Sequence, residues 1–172
     1  MPALLVSHFL NAARGADLSS LTAPYGIELI VLPQDREARL PEAVVARADF
    51  AFFSGDIVSR GFSRQFFSAA RKAPNLKWLH VSNAGVDHPI FSEMLARGVR
   101  LTTSSGSTAE PIAHTAIAAL LMLARGFPKW MQAQREHRWS PVTIEAFPRD
   151  LPGQTAVVVG LGHIGKEFSR LA

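Results

Sequence analysis

Residues 1–103 carry five short apolar runs, Ala3–Ser7, Ile27–Leu32, Asp49–Ser54, Lys77–Ser82 and Arg100–Thr103, each followed by a stretch of different pattern. Runs this short and this apolar read as strands buried on both faces. The stretches between them carry helix signals. Pro41–Ala48 opens with a proline at a first-turn position, where its missing N–H costs nothing. Ser63 can cap a helix that buries Phe66, Phe67 and Ala70 and stops near Pro74. Pro89–Ala96 ends at Gly98, a left-handed cap. Phe9–Gly26 has the weakest pattern and reads as a loop with one short helix. Strand and helix in alternation predict an α/β fold, a flavodoxin-like, doubly wound parallel sheet with helices on its faces.

The pattern changes after residue 103. Ser107 and Glu110 have the spacing of a capping box, and Pro111 falls in the first turn that follows. Ala113, Ala116, Ile117, Leu120, Leu121 and Ala124 then recur at helical spacing, so a long helix is expected over residues 108–124. Gly126 and Pro128 interrupt it, and a second amphipathic piece is expected from Lys129 to His137. This long helix looks like a connector rather than another crossover, which puts a domain boundary at residue 104.

The chain has no cysteine, which excludes disulfides, thiolate catalysis and Cys-ligated metal. No metal is expected. The net charge of +4 is spread out, with no basic run longer than Arg71–Lys72, so nucleic acid is not the expected partner. The longest apolar stretch, Ala116–Ala124, is well short of the ~20 residues a membrane span needs. The opening MPALLVSHFL has no basic n-region. A cytoplasmic protein without a membrane partner is expected.

The most informative segment is TAVVVGLGHIGKEFSRLA. Thr155–Val159 is β-branched and apolar, Gly160-Leu161-Gly162-His163-Ile164-Gly165 is G-x-G-x-x-G, and a helical composition follows. In that context the motif is the phosphate-binding turn of a dinucleotide fold, the start of a Rossmann domain. Gly160 permits the turn, Gly162 lets a pyrophosphate approach the backbone, and Gly165 lets helix and strand pack closely. The amides of His163 and Ile164, at the helix N-terminus, would face the phosphates. The cofactor is therefore NAD or NADP. The acidic residue that separates the two should lie about 20 residues past the turn, beyond Ala172. This assignment rests on a strand leading into the turn and on amides at residues 162–165 that the protein leaves free.

A second constellation follows the fourth apolar run. Asn83-Ala84-Gly85-Val86-Asp87-His88 stands where open parallel sheets place ligands, at the carboxyl end of a strand. Gly85 allows a tight turn there, and successive N–H groups suit a carboxylate. Read alone, the segment is also an ordinary β-to-α turn with Asp87 capping the helix that opens at Pro89.

Together, WLHVSNAGVDH, EPIAHTAIAALLMLARG and LPGQTAVVVGLGHIGKEFSRLA resemble, in order and spacing, three segments of the D-isomer-specific 2-hydroxyacid dehydrogenase family. That family includes glyoxylate/hydroxypyruvate reductases, phosphoglycerate dehydrogenases and formate dehydrogenase. The likeness is good over residues 75–172; over residues 1–74 it lies only in strand order. It implies that residues 1–103 are a substrate-binding domain and that residues 104–172 begin an NAD(P)-binding Rossmann domain. The family's members transfer a hydride between NAD(P)H and a small 2-oxo acid. The resemblance implies that Ala84, Gly85 and Val86 hold the substrate carboxylate, and that Ser54 and Gly55 line the same cleft. It assigns the cofactor pyrophosphate to Gly160, Gly162, His163, Ile164 and Gly165. It implies a homodimer formed through the 108–124 helix. One departure is Ala113-His114, where the family usually reads Ala-Glu.

The family's catalytic Arg, Glu and His would all lie beyond residue 172, so no catalytic residue is assigned here. His8, His80, His88, His114, His137 and His163 follow no matching motif. The chain is expected to be the N-terminal portion of an enzyme and inactive alone. The alternative from another class is a non-catalytic NAD(H)-sensing protein on the same fold, like the family's co-repressors.

Overall fold

The computed structural model describes residues 1–172 and divides them into two compact units, Met1–Ser105 and Gly106–Ala172. In the first unit the five apolar runs form strands β1 (Ala3–Val6), β2 (Glu28–Val31), β3 (Ala48–Phe53), β4 (Trp78–Val81) and β5 (Arg100–Thr103). They make one parallel sheet in the order β2-β1-β3-β4-β5, the flavodoxin-like order.

This order fixes where the helices go. The step from β1 to β2 runs one way along the sheet, and every later step runs the other. Right-handed crossovers therefore put α1 (His8–Thr22) on one face. The opposite face receives α2 (Glu42–Val45), α3 (Gly55–Ser59), α4 (Ser63–Lys72) and α5 (Pro89–Ala96). Leu5, Ala51, Phe53, Leu79 and Val81 point to that crowded face and are buried with Ile57, Phe66, Ile90 and Met94. Fully burying a side chain of this size is worth roughly 1.5–3 kcal/mol, so this layer holds the unit together. The alternate residues Phe50, Phe52, Trp78 and His80 point the other way and are half-buried.

In the first unit, local structure differs from expectation in three places. Ser7 caps α1, accepting from the Leu10 amide at 2.9 Å, and residues 8–22 form a long helix rather than a loop with a short one. Gly15, Ser19 and Ser20 lower its intrinsic propensity, and a kink at Arg14 blurs its periodicity. Ser63 is the first residue of α4 and caps nothing. His88, not Asp87, caps α5: its Nδ1 accepts from the Ile90 amide at 3.2 Å.

The second unit contains α6 (Ala109–Ala124), α7 (Phe127–Arg135) and α8 (His163–Leu171). Gly126, left-handed at φ 73°, breaks α6 from α7, and the two axes bend by 77°. No single helix is long and apolar enough to cross a membrane, although this bent pair passes by length and composition together. The Ser107–Glu110 capping box does not form. Thr108 stands at the cap position, no side chain bonds there, and Glu110 turns toward His114, 4.0 Å away.

Thr155–Val159 is not a strand. It pairs with no other segment, and Val157 and Val159 are 83% and 97% exposed. A strand exists only by its ladder to a neighbour, and no segment of the second unit offers one.

Candidate functional site

Two sets of main-chain amides stand ready for anions, one in each unit. In the first unit the carboxyl ends of β1, β3 and β4 lie side by side. Ser54 follows β3, buried at the cap position of α3, with its Oγ 3.5 Å from Ser7 Oγ. Ser7 Oγ also donates to Asp56 Oδ2 at 2.5 Å, tying the end of β1 to the first turn of α3. Gly55 faces the loop after β4, with Ser82 Oγ 4.0 Å from where its Cβ would stand. Ser7 and Asp56 were not singled out from sequence; Asp56, two residues past a strand end beside Ser54-Gly55, was the available signal.

In the loop after β4, Asn83 Nδ2 donates to Gly85 O, and the amides of Ala84, Gly85 and Val86 donate to no protein group. Gly85 is not left-handed, so the tight turn expected of it is not the reason for glycine. A Cβ at Gly85 would stand 3.3 Å from Asp87 Oδ2, a contact that a small turn of the carboxylate relieves. The loop thus offers free N–H groups beside one negative charge.

In the second unit Gly160 is left-handed at φ 96°. A Cβ at Gly165 would collide with the Gly160 carbonyl oxygen, so the turn closes only on glycine at both positions. At Gly162, by contrast, a Cβ would meet nothing within 4 Å. The protein does not fill that space. The amides of Gly162, His163, Ile164 and Gly165 donate to no protein group, and Gly162 O accepts from Lys166 N at 3.0 Å as α8 begins. Free amides, open space over Gly162 and a helix N-terminus fit a pyrophosphate. Of the two conditions on which the sequence reading rested, the free amides are met and the strand is not.

Residues 117–172 match the family model of the D-isomer specific 2-hydroxyacid dehydrogenase NAD binding domain. The matched residues include the glycine turn and α8. The chain is 30% identical over 112 residues to the chloroplastic/mitochondrial formate dehydrogenase of Arabidopsis thaliana, covering 64% of this chain and 29% of that one. With the glyoxylate reductase/hydroxypyruvate reductase of Mus musculus it shares 29% over 99 residues, 56% of this chain and 30% of that one. Among solved structures it resembles the NADPH-dependent glyoxylate/hydroxypyruvate reductase of Sinorhizobium meliloti in complex with NADP and malonate. There the TM-score is 0.59 and the identity 26%, over 99% of this chain and 49% of that one. The chain thus spans about 30% of the length of these curated relatives and about half of that solved chain.

No histidine is paired for acid–base work. His114 is exposed and 4.0 Å from Glu110, beyond hydrogen-bond distance. His8 opens α1 with its ring packed by Phe9 and Phe62, and His137 follows α7. His80 is structural: its Nδ1 lies 2.9 Å from Thr102 Oγ1, its Nε2 3.0 Å from Ser104 Oγ, and its ring stacks on Phe52.

Burial holds the His80 imidazole below its ordinary range, so the folded chain binds that proton less tightly than the unfolded one. An unfolded chain takes up that proton near the ordinary value of about 6.5. The contribution of His80 to stability is therefore complete above that pH and shrinks as pH falls below it toward the folded value. The urea midpoint of the first unit should drop between pH 7.5 and pH 5.5, and by less in His80→Phe. Equal drops in both proteins would remove His80 as the cause.

Proposed function

We propose that this chain supplies the substrate-binding unit and the first phosphate-binding turn of a cytoplasmic NAD(P)-dependent 2-hydroxyacid dehydrogenase acting on a small 2-oxo acid of the glyoxylate/hydroxypyruvate type. The observation that carries the reading is the glycine turn at residues 160–165. Its geometry requires glycine at Gly160 and Gly165, and it leaves both amides and space at Gly162. Bound there, a nicotinamide cofactor would supply the hydride. This chain's part is to hold the pyrophosphate on the amides of Gly162, His163, Ile164 and Gly165 with the dipole of α8 behind them.

The substrate carboxylate goes to the amides of Ala84, Gly85 and Val86, with Ser54 and Gly55 at the adjoining strand end. Support comes from the shared strand-end position of these loops and from the free N–H groups. Asp87 would oppose an anion at Gly85 unless its side chain turns away, so Asp87→Asn should tighten binding of a small 2-oxo acid.

By themselves the 172 residues turn over no substrate, since no proton-transfer pair stands at either site. The partner is a second copy. Ile112, Leu121, Met122 and Leu123 on α6 are exposed, as are Phe127 and Met131 on α7, which suits burial against an equivalent surface. Light scattering should give twice the 18.7 kDa chain mass; a monodisperse monomer contradicts the dimer.

The test of function is absorbance at 340 nm with glyoxylate or hydroxypyruvate and NADH or NADPH. The 172-residue chain should bind cofactor without oxidising it. A natural protein that contains this sequence together with the catalytic segment of its relatives should oxidise it. No turnover by that protein across a panel of 2-oxo acids would overturn the assignment.

A further inference from the structure

The imidazole of His163 has a place of its own, apart from the amide that the glycine turn uses. Its ring lies across Gly106: a Cβ built there would stand 3.1 Å from Cγ and 3.2 Å from Cδ2 and Nδ1. Gly106 is left-handed at φ 91°, which favours glycine, and is the first residue of the second unit. Ala109 N donates to Gly106 O at 3.1 Å, which links the same residue to the start of α6. The recess around the ring is completed by Glu110, Lys166, Glu167 and Arg170, with Arg170 bonded to Glu167.

We propose that His163 is a positioning residue that couples cofactor at the glycine turn to the first residues of the second unit, Gly106 to Ala109. The physical route is short. A pyrophosphate on the His163 and Ile164 amides fixes the backbone of His163, and with it the direction of its side chain. Gly106 has no side chain to brace its own loop, so the imidazole face is the brace. When the His163 backbone is held still, the freedom of Gly106 is reduced with it. The inference rests on the cofactor reading above.

Amide hydrogen exchange on the 172-residue chain, with and without saturating NADH, tests it. NADH should slow exchange across residues 106–109 by about fivefold or more. At saturation His163→Ala should lose that slowing, and His163→Phe, which restores a flat ring of similar reach, should recover it. A merely structural role predicts faster exchange in His163→Ala with and without cofactor, and no dependence on NADH. Saturable NADH binding with unchanged exchange at 106–109, or full slowing in His163→Ala, overturns the coupling and leaves the cofactor reading intact. Absence of saturable binding of either NADH or NADPH overturns both.

Discussion

Gly165→Ala should abolish dinucleotide binding and loosen the second unit, whereas Gly162→Ala should weaken binding and leave stability alone. The contrast follows from what each new methyl group meets. At Gly165 it runs into the Gly160 carbonyl oxygen, a backbone atom that cannot rotate aside, with Val158 Cγ1 behind it at 3.5 Å. Overpacking of this kind costs about 1–3 kcal/mol, and more where the neighbour is rigid. Relief requires Gly160 to leave its left-handed conformation, which dismantles the turn. At Gly162 the methyl group meets no protein atom within 4 Å. It occupies the space the pyrophosphate needs, so the cost appears only in binding, at about tenfold or more, or ~1.4 kcal/mol. Thermal melts and fluorescence titration with NADH on the two variants separate these effects. Equal losses of stability would show that the open space at Gly162 is not a ligand site.

Phe66→Ala should nearly unfold the first unit. Phe66 is fully buried, with its ring 5.1 Å from that of Phe53 and edge-on to Phe67 at 5.5 Å. It joins α4 to the sheet on the crowded face, where four of the five helices lie. Truncating a buried phenylalanine costs roughly 3–5 kcal/mol, against a total stability of about 5–15 kcal/mol for a domain. A domain of this size loses about 4–8 °C per kcal/mol, so the melting temperature should fall by roughly 12 °C or more. The neighbouring Phe67, only partly buried, should cost less on the same substitution. A Phe66→Ala protein that melts within a few degrees of the parent would show that α4 is not seated as described.

The first unit was legible because its signal is long-range and redundant. Five apolar runs with helical segments between them admit few topologies, and right-handed crossovers narrow these to the order observed. α1 was not legible, because neither propensity nor periodicity marks it. Ser7 and packing on the sheet make it a helix, and both act only once β1 is placed. Caps were misassigned at Ser63, Asp87 and Ser107 for a common reason. Residue type permits a cap, but the direction of the incoming chain decides which neighbour takes it, and so His88 caps α5 where Asp87 was expected. The glycine turn was legible because Gly160 and Gly165 each answer to a local steric demand, while Gly162 leaves open space. Thr155–Val159 has the composition of a strand and none of its pairing, because composition is local and a ladder is not.

Main-chain amides at residues 162–165 carry the proposed function as its diphosphate cradle. Backbone amide spectra of nitrogen-15-labelled chain, recorded through a titration with NADH, test this most directly. The resonances of Gly162, His163, Ile164 and Gly165 should move together along one saturable curve, and Gly162→Ala should shift that curve to higher concentration. If those four resonances hold still while NADH binds elsewhere, or if nothing moves at millimolar NADH, the cradle is not there.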